Sequence, residues 1–287
     1  TTPGTDLVAV VDTLVDGVHY PASLGAADIG YRAVAVNLSD MAAMAARPRW
    51  MTLALTLPTA DEAWLQEFAS GLYEAAREFG VSLVGGDTTR GEQTVISVQL
   101  LGEVEPGRAL TRGAARPGDR LYVSGTPGDA AAGLRLLSEG YGGDAEQALL
   151  DRFCRPTPRL TLGAALADTA SACIDVSDGL ADDIAKLARA SGCAARIDVD
   201  ALPLSTALRQ VFPDAAADFA LGGGDDYELC FAVPEAIEER ISGIAAATGL
   251  RLTRIGRLAS GEGVTVSGSG SATGTQPRGY DHFGDGR

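Results

Sequence analysis

In 287 residues there is one lysine, Lys186. No Gly-x-x-x-x-Gly-Lys-Ser/Thr surrounds it, which excludes a P-loop and a lysine-based protein-kinase site. Two histidines, His19 and His282, stand apart from the cysteines, which argues against zinc. Cys154, Cys173, Cys193 and Cys230 form no Cys-x-x-Cys pair. They read as buried free thiols of a reducing, cytoplasmic protein. No apolar run reaches the roughly 18 residues of a membrane span, and no basic-plus-apolar signal opens the chain. Lys and Arg number 23 against 38 Asp and Glu, a net charge of -15, which argues against sequence-independent nucleic-acid binding through a basic patch.

What is present is apolar residue, at 46%, enough for a large core in one large or two ordinary domains. Strands are predicted at 7–11, 51–57, 81–84, 94–104, 121–124, 172–176, 195–199 and 251–258, with a glycine turn leading into a strand over 222–233. Helices are predicted at 28–46 with Asp28 as cap, at 62–79 behind a Thr59-Ala60-Asp61-Glu62 capping box, and at 128–138 and 144–153. Further helices are expected at 164–172, 181–190 and 235–248, and 260–275 reads as a mobile loop or hairpin. The Arg-, Pro- and Gly-containing stretch 106–118 reads as an inter-domain connection. Strands and helices mix in each half without strict βαβ alternation, so the expected class is α+β with two α/β domains.

The chemistry is carried by aspartates. Asp175 and Asp178 flank a tight turn in Cys173-Ile174-Asp175-Val176-Ser177-Asp178-Gly179, beside a helix start that favours anions. Two carboxylates so close repel unless a cation lies between them. Helix capping by Ser177 or Asp178, with Asp182 in the first turn, is the equally weighted alternative. Asp12 and Asp87 are read at strand ends, and Asp40 is embedded on an apolar helix face. Each has a local alternative: a turn with Thr13, an ion pair to Arg47 or Arg32, an Asx turn. All five together point to hard, oxygen-liganded ions such as magnesium and hence to a polyphosphate. Gly85-Gly86 and Gly222-Gly223-Gly224 would admit backbone N–H groups to phosphate, and Arg112 could neutralise it.

These residues lie in segments that resemble the thiamine-monophosphate kinase family. The segments are Asp12-Thr13-Leu14-Val15 with Gly17 and His19, Ala35-Val36-Asn37-Leu38-Ser39-Asp40 through Met44, and residues 50–58, 85–91 and 107–112. Residues 174–180, Gly223-Gly224-Asp225-Asp226-Tyr227-Glu228 through Phe231, and Gly279-Tyr280-Asp281-His282-Phe283 complete them. Asn-Leu-Ser-Asp and Gly-Gly-Asp belong to the wider aminoimidazole ribonucleotide synthetase-like superfamily. Asp-Tyr-Glu-Leu and the terminal motif are more specific.

The resemblance implies ATP-dependent phosphorylation of thiamine monophosphate to the diphosphate. It implies a homodimer whose N-terminal sheets join across the interface into a barrel, with a mixed C-terminal sheet flanked by helices. It implies a metal-, ATP-binding and dimerisation domain over 1–112 and a domain over 113–287 that completes the site. Asp12, Asp40, Asp87, Asp175 and Asp178 are then ligands of several Mg2+ ions. Gly86, Asp87, Arg112 and Ser177 meet ATP, while His19, Asp225 and Tyr280 meet the thiamine phosphate. The acceptor is already anionic, so direct in-line transfer needs no acid–base or covalent residue. The chain departs from the pattern in three places. Val10-Val11 stand where many members have Ser-Thr, Asp225 replaces a frequent Glu, and an early Gly-x-Gly-Asp-Asp motif is absent. We expect a preceding segment to supply that motif. Other expectations are a different ATP-dependent synthetase of the superfamily, or a nucleotide-binding dimer with impaired chemistry.

Overall fold

Alternation sets the first strand. Val8 and Leu14 point inward and are buried, whereas Leu7 and Val11 are 54% and 60% exposed. The computed structural model describes residues 1–268. Its first half runs β1 (Asp6–Val15), α1 (Ala26–Ala43), β2 (Arg47–Leu57), α2 (Glu62–Glu78), β3 (Ser82–Arg90) and β4 (Val95–Val104). The sheet order is β1-β4-β2-β3, with β2 and β3 parallel and the other pairs antiparallel.

Fifteen of the 18 residues of α1 are buried, so it is an inner helix rather than a surface one. Glycines let it cross α2 backbone to backbone. A Cβ on Gly30 would lie 2.1 Å from the Phe68 carbonyl oxygen, and one on Gly71 would lie 1.7 Å from that of Ala27.

The second half adds β5 (Arg120–Ser124), α3 (Asp129–Glu139), α4 (Asp144–Cys154), α5 (Leu160–Leu166), β6 (Ala172–Asp175), α6 (Leu180–Ala190) and β7 (Ala194–Asp198). Then follow α7 (Thr206–Val211), α8 (Ala216–Gly222), β8 (Leu229–Val233), α9 (Arg240–Thr248), β9 (Leu252–Ala259) and β10 (Val264–Ser267). Their sheet has the order β10-β7-β9-β5-β8-β6, antiparallel except for β10 with β7. Two mixed sheets flanked by helices are the expected class. Helix α1 also abuts the second half: a Cβ on Gly163 of α5 would lie 2.0 Å from the Ala42 oxygen. Among the described residues no helix is long and apolar enough to cross a membrane.

Several local expectations are corrected. Helix α1 begins after Gly25, with Asp28 in its first turn instead of at the cap, and the chain turns at Ala45 (φ 55°) before Pro48 is reached. Asp61, not Thr59, caps α2, accepting from Ala63 N at 3.0 Å and Trp64 N at 3.2 Å. The helix expected over 164–172 is α5, which stops at Leu166. Strand β8 starts only at Leu229, so 223–228 is irregular backbone. Helices α7 and α8 were not anticipated, because each spans less than two turns and shows little periodicity. Residues 264–267, expected in a mobile loop or hairpin, form β10 and pair in parallel with β7.

Candidate active site

A cavity of about 880 Å³ opens between the two halves. Asp12, His19 and Asp40 line it from the first half, and Asp175, Ser177, Asp178 and Asp225 from the second. Helix α1 organises the first group. Arg32, Val36 and Asp40 follow one another at four-residue spacing and so share a helix face. On the neighbouring face Asn37, fully buried, donates to the Ala33 oxygen and accepts from the Asp12 backbone N at 3.0 Å.

Asp12 lies inside β1, not at its end. The ladder with β4 continues past Asp12↔Val98 to Val15↔Val95. Its side chain falls on the inward face shared with Val8 and Leu14. Burial therefore pushes its carboxyl up, and the charge of Asp178 adds to that. Asp40 is pushed up to about 6 by burial and then by Asp12, with Arg112 pulling the other way. The ion pairs considered for Asp40 do not form, because Arg32 is engaged elsewhere: its Nη2 donates to Asp225 Oδ1 at 2.6 Å. Asp175, at the end of β6 as expected, is pushed well up by burial and then by Asp40. Asp12, Asp40 and Asp175 are thus each pushed up by burial and by a neighbouring acid. Among the described residues no three His, Cys, Asp or Glu side chains are gathered closely enough to hold an ion as they stand.

The turn after β6 is fixed from behind. Asp183 Oδ2 accepts from Ser177 N at 2.9 Å and Asp178 N at 3.0 Å. Neither Ser177 nor Asp178 is the helix cap; Gly179 holds that position without a side-chain bond. Those two N–H groups are consequently not offered to an anion. Lys186 bridges Asp183, at 2.6 Å, and Asp178. Asp183 and Lys186 were missed as site residues; their only sequence signal was two acids and a lysine in the first turns of α6.

The glycines of 222–224 serve backbone contact. A Cβ on Gly224 would lie 2.4 Å from the Ser177 oxygen, and one on Gly223 would lie 2.4 Å from that of Phe219. This closeness extends the β6–β8 ladder irregularly: Asp225 N donates to the Ser177 oxygen at 2.8 Å and Tyr227 N to that of Val176 at 2.9 Å. Asp225 is thereby set beside Ser177.

The Asp-Asp-Tyr-Glu stretch divides its labour. Asp225 and Tyr227 line the cavity. Asp226, buried, accepts from Gly128 N at the start of α3 at 2.8 Å. Glu228, 1% exposed, pairs with Arg152 at 2.9 Å and with Arg159. Burial alone would raise the Glu228 carboxyl, but Arg159, then Arg152 and Ser124, outweigh it and hold it below its usual range.

Asp87, Gly86 and Arg112 are not among the cavity-lining residues. Asp87 stands in mid-strand on β3, exposed, accepting from Thr88 N at 2.9 Å. Gly86 is explained by packing, since a Cβ there would lie 2.1 Å from the Leu53 oxygen. Arg112 is exposed. His19 accepts from Val15 N through Nδ1 at 3.0 Å. Tyr280 lies outside the described residues, as does the terminal motif around it.

Residues 1–104 match the family described as AIR synthase related protein, N-terminal domain, and residues 116–269 match its C-terminal domain. The thiamine-monophosphate kinase of Escherichia coli K12 is 46% identical over 282 residues, 96% of this chain and 86% of that protein. The crystal structure of thiamine-monophosphate kinase from Stenotrophomonas maltophilia K279a is similar with a TM-score of 0.89 at 46% identity, covering 94% of this chain and 88% of that one. The structure of AaThiL complexed with AMPPCP and TMP gives 0.88 at 35% identity, covering 99% and 89%. Identity of this extent across both halves means that the chain belongs to the thiamine-monophosphate kinase family of AIR synthase related proteins.

Proposed function

We propose that this protein transfers the γ-phosphoryl group of ATP to the phosphate of thiamine monophosphate. The observation that carries the reading is the convergence of Asp12, Asp40, Asp175 and Asp178 from both halves on one cavity, in a chain of this family. The solved relative complexed with AMPPCP and TMP supports both ligands.

Four hard oxygen donors, three of them (Asp12, Asp40 and Asp175) pushed up by burial and neighbouring acids, with no lysine or arginine among the cavity-lining residues, fit a divalent cation. A cation among them would offset the repulsion that Asp12, Asp40 and Asp175 feel from neighbouring acids. Asp12, Asp40, Asp175 and Asp178 would hold Mg2+, which when bound supplies charge neutralisation and polarises the phosphoryl oxygens. Asp87, Gly86 and Arg112 stay assigned to metal and ATP on the resemblance, with Arg112 acting on Asp40 by charge. Asn37 fixes the Asp12 backbone, and Asp183 with Lys186 fixes the Ser177–Asp178 turn, so these donors are held in place before any ligand binds. An oxygen of the acceptor phosphate attacks the γ-phosphorus, the bond to the bridging β–γ oxygen breaks, and ADP leaves. No side chain need take a proton or form a phospho-enzyme. His19, Asp225 and Tyr280 are assigned to the acceptor. Val18, Tyr20, Pro21, Ala131 and Leu134 give the cavity an apolar wall for its heterocycles.

The assay is ADP release with ATP and thiamine monophosphate, with aminoimidazole precursors, and with no acceptor. ADP matched by thiamine diphosphate is expected with the first alone. Release with an aminoimidazole precursor, or none with any acceptor, would overturn the reading.

A homodimer belongs to the same proposal. The outer face of the first sheet is bare, with Leu7, Val11 and Val84 each more than half exposed. Sedimentation at micromolar concentration should give the mass of two chains; a single-chain mass would count against it.

A further inference from the structure

We infer that Arg32 is a positioning residue for the acceptor site, holding the Asp225 carboxylate so that one oxygen is presented to the cationic or N–H-donating part of the acceptor. This rests on the proposed function. Asp225 and Tyr227 both have positive φ, 66° and 52°, a conformation that non-glycine residues hold only when their surroundings impose it. The backbone bonds to Ser177 and Val176 impose it on the main chain. The side chain is fixed separately. Arg32 Nη2, at 2.6 Å, and the Tyr227 hydroxyl, at 2.9 Å, both donate to Oδ1. Asp225 Oδ2 accepts nothing from the described residues, while Asp225 lines the cavity and is 27% exposed.

Arg32 can hold this position because it is itself locked. It is 1% exposed, its Nη1 donates to the Phe153 carbonyl, and its guanidinium lies 4.3 Å from the Phe153 ring centre. Its Nε finds no partner among the described residues, so a costly buried cation is retained with Asp225 as its one ion-pair partner among them. Arg32 sits on α1 four residues before Val36 and eight before Asp40. The helix that places Asp40 in the cavity therefore also holds Asp225, which lines the same cavity.

The test is Arg32→Lys in the full chain. One ammonium keeps the charge but cannot serve the Phe153 carbonyl and Asp225 Oδ1 with the same planar fork. The apparent KM for thiamine monophosphate, and its calorimetric Kd without ATP, should rise about tenfold, as expected when one charge-assisted hydrogen bond is lost. KM for ATP should stay within about twofold. Tyr227→Phe, which removes only the second donor to Oδ1, should shift the same constants in the same direction by a smaller factor. Equal changes for both substrates, or a fall in kcat with both KM values unchanged, would mean that Arg32 only supports the fold. Should Arg32→Lys fail to fold, a cycle of Asp225→Asn with Tyr227→Phe decides. Tyr227→Phe should add nothing once Asp225 is changed, and additive effects would overturn the inference. An active wild type with Arg32→Lys unaltered defeats this inference alone; a wild type that neither binds nor uses thiamine monophosphate defeats the functional reading as well.

Discussion

Asp178→Asn should lower turnover by about two to three orders of magnitude, the scale on which loss of one preorganised electrostatic group is felt. The fold should be unaffected. Asp178 is 37% exposed, and its charge disfavours that of Asp12, so neutralising it removes a repulsion from the free protein. Lys186 retains Asp183, which goes on holding the turn through Ser177 N and residue 178 N. The measurements are single-turnover phosphoryl transfer across a magnesium titration and thermal unfolding of the metal-free protein. An unfolding temperature equal to or above wild type, with turnover not restored by excess magnesium, is the expected pair of results. Turnover near wild type at saturating magnesium would remove Asp178 from the metal site.

Glu228→Gln should be the most destabilising isosteric change near the site, at about 3 kcal/mol, because it leaves Arg152 and Arg159 facing an uncharged partner. The lower end of the range for broken buried pairs applies, since Arg152 is 21% and Arg159 14% exposed. In urea the midpoint should fall with the slope unchanged. The pH dependence has a definite sign. The folded carboxyl lies below its ordinary 4.5, so its contribution is fully present above that value and is lost as pH falls through the folded value. Wild type should therefore lose stability on acidification below about pH 4.5, and the variant should lack that part of the loss. A midpoint shift worth under about 0.5 kcal/mol would mean that water already screens the cluster.

Local chemistry made the acids legible. Asp40 stood out because a carboxylate at an apolar helical position needs a reason, and Asp175 because it closed an apolar strand. The same local view made Asp12 and Asp87 look alike, each an acid after a short apolar run. Sheet order separates them: the inner face of β1 packs toward α1, whereas β3 is an edge strand with nearly every residue exposed. A period of two tells which residues share a face but not which face is covered.

By itself, then, the sequence determined the two mixed α/β halves, the family and four aspartates that the fold brings to one cavity, since periodicity, burial cost and motif spacing are properties of short stretches. Tertiary structure alone decided the partners. Asp183 caps the Ser177–Asp178 turn from within α6, a choice that local capping preference leaves open because either flank can supply the acceptor. Arg32 faces Asp225 across 193 residues, and Glu228 gathers arginines from α4 and the start of α5. No stretch of sequence encodes such a pairing by itself. It follows from packing α1 against both halves, which brings a buried cation within reach of an acid on irregular backbone that lines the cavity.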